Sequence, residues 1–188
     1  MSRSYRISVS ETLRRHVKVE DGVQTQMELL AILPVQRMAE LLAAELEQLG
    51  FERDGQLARR TDEDGTEVTV DLEQGTVTVR LAAEADVELE RKRTGSVYDR
   101  KQQAGAEQQL RRQLREDLER QADARQEELR EEVTQQLERK LRDIQQAIDK
   151  AVNRASASAL KEKAAQLGEI EEISEDTETG SLTIRVRV

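Results

Sequence analysis

"QQLRRQLREDLERQADARQEELREEVTQQLERKL", residues 108–141, contains no glycine, proline or aromatic residue, and most of its side chains are charged or amides. Its aliphatic residues recur once per helical turn, a spacing of about 3.6 residues. Ala106, Leu110, Leu114, Leu118 and Ala122 are followed by a lapse, then by Leu129, Val133, Leu137 and Leu141, and beyond them by Ile144, Ile148, Val152, Ala155 and Ala159. Glu107 with Arg111, Glu116 with Arg120 and Glu138 with Arg142 are spaced four residues apart, each pair adding about 0.2–0.5 kcal/mol to a helix. The stretch therefore predicts a long charged helix with a one-sided seam, whose candidate interaction residues are Leu110, Leu114, Leu118, Leu129, Val133, Leu137, Leu141, Ile144 and Ile148. That seam is narrower than the stripe a globular core requires, and it suits one companion helix. Its steps of four exceed the heptad average, which argues against a regular left-handed coiled coil; from Leu141 onward they come closer to it. A continuous helix over 97–167 would be about 100 Å long. A fold-back near 122–129, where the pattern lapses, is the alternative, but no glycine or proline marks a turn there and the unbroken form is expected.

The flanks read differently. Residues 4–33 alternate polar and apolar side chains through Tyr5, Ile7 and Val9, and Asp21-Gly22 lies between two such runs, predicting a hairpin. Pro34 then occupies a first helical position, Val35, Met38, Leu42, Leu46 and Leu49 follow at steps of three and four, and Gly50 supplies a stop, so a helix over 34–49 is expected. After "QLARR", the pairs of runs Val68, Val70, Leu72 and Val77, Val79, Leu81 flank Gln74-Gly75 as a second hairpin. Val87 and Leu89 suggest a further short strand, and Ser96, with Asp99 three residues on, suggests the cap of the long helix. Leu167 and Gly168 end it. "EIEEISEDTETGSLTIRVRV" is then a last hairpin with Leu182, Ile184, Val186 and Val188 on one face.

The expected fold class is α+β. It comprises a small antiparallel acidic β-rich head over 1–95 carrying the helix at 34–49, a long charged helix over 96–167, and a C-terminal β-hairpin over 168–188. "EQLG" with "EQGTVTVRL" is echoed by "AQLG" with "ETGSLTIRV", so a helix-hairpin unit reads as used twice, and the two copies would pair in one sheet or across a dimer. A two-stranded hairpin is marginal alone and needs a surface to lie on.

Composition limits the chemistry. With 36% hydrophobic, 2% aromatic and 37% charged residues, the core must be thin and built from Val, Leu, Ile and Ala. The absence of cysteine excludes disulfides and thiol chemistry. The single histidine, His16, reads as a surface residue of a strand, and no transition-metal set is available. "RTDEDGTE" and "ISEDTETG" lack the ligand spacing of a calcium loop and read as turns. No phosphate loop, dinucleotide fingerprint or nucleophile elbow is present. The expectation is a non-enzyme with no cofactor. No membrane-spanning run or leader is legible, so a soluble cytoplasmic chain is expected. Residues 100–167 carry 15 basic and 13 acidic side chains and the remainder 15 and 26. Acidic β-rich ends would repel a phosphate backbone, which argues against nucleic acid as a partner.

The N-terminal "MSRSYRISVSETLRRHVKVEDGVQTQMELLAILPVQRMAELLAAELEQLGFERDG", the "VTVDLEQGTVTVRL" that follows and the closing "LGEIEEISEDTETGSLTIRVRV" resemble small accessory proteins of bacterial ternary systems. Those systems are built around an FtsH-type AAA+ ATPase, with MoxR-type ATPases and von Willebrand A domain proteins nearby. The resemblance covers both ends but not the rod. It implies an adaptor or scaffold that works beside an AAA+ ATPase. The residues themselves imply association with a second copy or another helical protein, through the seam and the hairpin edges; a homo-oligomeric structural protein without an ATPase partner is the alternative, and a hydrolase using unrecognised carboxylates is a third reading that no paired acids in a cleft support.

Overall fold

The computed structural model describes residues 5–176 and 181–187. Strand β1, Tyr5–Gln26, runs without interruption for 22 residues. The hairpin expected at Asp21-Gly22 is therefore absent. Gly22 is not in the left-handed conformation such a turn needs. The alternation of Val17, Val19, Val23 and Thr25 stays in phase across it, as one strand requires. A Cβ at Gly22 would approach Val79 O and Arg80 Cγ to 3.1 Å, so the glycine permits close contact with a neighbouring strand.

Helix α1, Val35–Glu47, begins directly after Pro34 and buries Met38, Ala39, Leu42, Ala43 and Leu46. Full burial of a leucine such as Leu42 contributes about 1.5–3 kcal/mol. Strands β2 (Glu52–Asp54), β3 (Leu57–Thr61), β4 (Glu67–Asp71) and β5 (Thr76–Val97) complete a five-stranded sheet in the order β1-β5-β4-β3-β2. At the Gln74-Gly75 turn the Asp71 carboxylate accepts the Glu73 and Gln74 N–H groups, at 3.0 and 2.8 Å. Val68 pairs with Val79 and Val70 with Val77, and all four are buried. Val87 and Leu89 do not start a separate strand, because β5 continues through them to Val97.

A short 3-10 turn, Arg100–Gln102, leads into helix α2, Gln103–Leu167, which is unbroken for 65 residues. The 3-10 turn is capped by Asp99, whose carboxylate accepts the Lys101 N–H at 2.9 Å. The expected cap, Ser96, lies inside β5. The fold-back near 122–129 does not occur. Strands β6 (Glu169–Asp176) and β7 (Ser181–Arg187) form a separate two-stranded sheet, so within one chain the echoed hairpins do not share a sheet. A Cβ at Gly168 would fall 2.1 Å from Arg187 O, which restricts that junction to glycine. Residues 177–180, read from sequence as part of a turn, and Val188 lie outside the described residues.

The chain divides into two compact units that cut across the three zones expected from sequence: Met1–Asp21 with Ala82–Gln135, and Gly22–Leu81 with Gln136–Val188. In the first, β1 and β5 form a two-stranded ribbon. Arg14 meets Glu88, His16 meets Asp86 and Lys18 meets Glu84, so the strands run antiparallel. The helix lies along this ribbon. Arg115 reaches Glu11 at 3.5 Å, Arg15 reaches Asp123 at 2.6 Å, and Thr134 donates to Asp21 at 2.7 Å. Residue numbers on the helix thus advance about twice as fast as on β1, matching rises of roughly 1.5 and 3.3 Å per residue.

That ratio explains the narrow seam. One helical turn advances about 5.4 Å, close to the roughly 6.6 Å between side chains on one face of a strand. A line of one aliphatic residue per turn therefore suffices to cover a ribbon only two strands wide. Ala122, Val133, Ile144 and Ala155, all buried, recur every eleven residues. An eleven-residue period winds the seam in the opposite sense to a heptad. The lapse in the pattern is a polar rung, not a turn. Arg15 of β1 donates to Gln126 at 2.9 Å as well as pairing with Asp123.

Candidate interaction surface

The seam residues are core residues of their own chain. Leu114, Leu118, Val133, Leu137, Ile144 and Ile148 are buried, and Leu110, Leu129 and Leu141 are half-buried. In the first unit Leu114 packs with Ile7 and Val9, and Leu110 packs against them beside Val97 and Ala106. In the second, Leu141, Ile144 and Ile148 face Met27, Val77 and Val79 around a void of only about 30 Å³. The nine residues are divided between the two units rather than gathered on one surface. The open seam expected to await a companion helix is thus closed by strands, because a narrow stripe matches a narrow ribbon.

The terminal hairpin contrasts with this. Its register passes from Ile170 opposite Val186 to Glu172 opposite Arg185, leaving Glu171 as an extra residue, a β-bulge. Without the bulge Ile170 and Ile173, three residues apart, would point to opposite faces. With it, Ile170, Val186, Ile173, Ile184 and Leu182 share one face. None of the five is buried, and Ile173 is 44% exposed. Sequence reasoning found Leu182, Ile184 and Val186 but missed Ile170 and Ile173. Their odd spacing beside a regular partner strand is the signal that a bulge leaves. The opposite face carries the Arg185–Glu172 pair at 2.9 Å, and Arg187 reaches the bulged Glu171 at 3.5 Å.

Among the strand edges left unpaired in the described residues, those of β5 and β7 carry the alternation of interest. Beyond Arg80, β5 has no neighbour on the side away from β1, and β7 pairs only with β6. Alongside the open edge of β5 runs a groove of about 340 Å³, lined by Ala85, Val87, Leu89 and Leu129 with Asp86, Glu88, Glu128, Glu132 and Arg125. The free face of the ribbon is a ladder of opposite charges. His16, exposed there, is held above its usual pKa by its hydrogen bond to Asp86, an effect opposed by desolvation and assisted by the charges of Asp86 and Glu84.

In the second unit, Lys140 binds Asp64 at 2.6 Å and Asp62 at 3.2 Å. The Lys140 hydrogen bond holds Asp64 below the ordinary carboxylate range. Burial lowers the Lys140 pKa, but Asp64 and Asp62 outweigh it and raise the net value. Arg60 stacks 4.8 Å from the Phe51 ring centroid and donates to Leu49 O at 3.1 Å. These contacts tie the 62–65 turn to α2 and the end of α1, a structural role. Among the described residues there is no cluster of three or more His, Asp or Glu groups placed to hold a metal, and no helix is long and apolar enough to cross a membrane.

In comparison with known families, the model of FtsH ternary system domain X5 matches residues 1–188, so the match includes the rod as well as both ends. No curated protein and no solved structure matches.

Proposed function

The chain belongs to the FtsH ternary system domain X5 family, and from that premise we propose that it acts as a non-enzymatic adaptor or scaffold beside an AAA+ ATPase, in the cytoplasm. The observation that carries this reading is the bulged terminal hairpin, which collects five aliphatic side chains on one face without burying any. Such a face, next to open strand edges, supplies both parts of a docking element: apolar area and unpaired backbone groups. The long helix is then a beam that orders the strands, and the binding surfaces lie at the ribbon edge and the hairpin. The acidic side chains Glu84, Asp86, Glu88 and Glu90 on β5 would contribute attraction to a basic surface of the ATPase, an interaction weakened by salt.

Capture of the FtsH-type ATPase from its own system on the immobilised full chain tests this. Capture at about 50 mM salt, reduced at about 500 mM and lost in an Ile173→Glu, Ile184→Glu variant of unchanged helicity, is expected. Absence of capture at the lower salt overturns the reading.

A further inference from the structure

We propose that strand β7 of one molecule adds to the open edge of β5 in a second copy of this chain, extending the ribbon of the second molecule by the two strands of the hairpin. The inference rests on reading the hairpin as a docking element and names what it docks on.

The two edges complement each other on both faces. Along β5, Ala85, Val87 and Leu89 alternate with Glu84, Asp86, Glu88 and Glu90. Along β7, Leu182, Ile184 and Val186 alternate with Thr183, Arg185 and Arg187. Paired strands place their alternate residues on common faces, so one register aligns both patterns. The aliphatic residues of β7 then enter the groove against Val87, Leu89 and Leu129 of α2. Arg185 and Arg187 come to lie beside the acidic ladder.

Charge favours this occupant. The groove lining has four carboxylates and one guanidinium, Arg125, which is paired with Glu128. Arg14, His16 and Lys18 already contact Glu88, Asp86 and Glu84 from the β1 side, so the added arginines bridge carboxylates that are shared rather than free. The side chains of Arg185 and Arg187 are 72% and 74% exposed. The opposite strand of the hairpin, β6, presents Glu169, Glu171 and Glu172, and would be repelled by the same edge. Only β7 fits. With β7 paired, β6 becomes the new outer edge, and its acidic residues discourage further strand addition. Because the described hairpin forms a sheet separate from β5 in its own chain, the pairing is between molecules. Reciprocal exchange closes a two-fold dimer, and one-way exchange closes a larger ring.

Two charge-reversed variants of the full chain test the proposal by sedimentation. One carries Arg185→Glu and Arg187→Glu, the other Asp86→Arg and Glu88→Arg, which lie on the same face of the joined sheet as the two arginines. The unmodified chain is expected to associate, each variant alone to associate on the order of tenfold more weakly or less, and an equimolar mixture to recover the association. Recovery distinguishes a direct contact from damage to either fold. A native chain that stays monomeric at about 200 μM, far above a micromolar Kd, overturns the inference, as does a mixture no better associated than its components. Either result leaves ATPase capture by the native chain unaffected, so failure of this inference and failure of the adaptor reading can be told apart.

Discussion

Two of the molecule's antiparallel strand pairs solve the same problem differently. The ribbon of β1 and β5 in the first unit and the hairpin of β6 and β7 in the second both alternate aliphatic and charged residues. On the ribbon, Ile7, Val9, Val17 and Val19 are buried, and the helix alongside supplies Leu114, Leu118, Ala122 and Val133. Among the described residues of the hairpin no aliphatic side chain is buried. Strand patterning defines an apolar face; whether that face becomes core depends on a second element of matching width. The ribbon's face is therefore core, whereas the described part of the hairpin's face remains accessible.

The largest test of this contrast substitutes one aliphatic residue in each region. Leu114→Ala should destabilise the chain by about 2–5 kcal/mol, whereas Ile173→Ala should change the stability of the monomer by about 0.5 kcal/mol or less. Chemical denaturation measures both, and comparable losses would show that the hairpin face is core. A smaller effect is expected at the polar rung. Arg15→Ala removes contacts to Asp123 and Gln126 that are partly exposed to solvent, with an expected cost of about 0.2–1 kcal/mol that shrinks in high salt.

The smallest effect is a pH dependence in the second unit. Asp64 has a lowered pKa through its hydrogen bond from Lys140. The associated stability is fully present above the ordinary carboxylate value and is lost as pH falls through the lowered one. Lys140→Met should therefore lower the melting temperature near neutral pH and converge with the native chain at acid pH, below about 4. A difference that persists unchanged into acid would locate the contribution of Lys140 in packing rather than in its charge.

Features set by local chemistry were legible in the sequence. The helix after Pro34, the turn at Gln74-Gly75, the long helix and the final hairpin all follow from periodicity or turn residues. Features set by a neighbouring element were not. Asp21-Gly22 has the composition of a turn, and only the strand opposite explains the glycine. Leu110 through Ile148 read as a seam awaiting a partner because the sequence shows the width of the stripe but not that of the surface it meets. The apolar face of the hairpin was half legible, because the bulge at Glu171 becomes visible only against the regular spacing of β7.

The contact of Arg15 with Asp123 and Gln126 has one further consequence. A helix with an aliphatic residue at every turn could slide along a ribbon with an aliphatic residue at every second position, and each slip of about 5.4 Å would look nearly the same to the leucines. The Arg15 guanidinium, together with the Arg115–Glu11 and Thr134–Asp21 contacts, meets its partners at only one setting, and such polar contacts remove that translational degeneracy, much as a buried asparagine does in a leucine zipper. The break in the hydrophobic pattern, a weakness in any tally of apolar area, thereby helps to give the helix a unique setting on the ribbon.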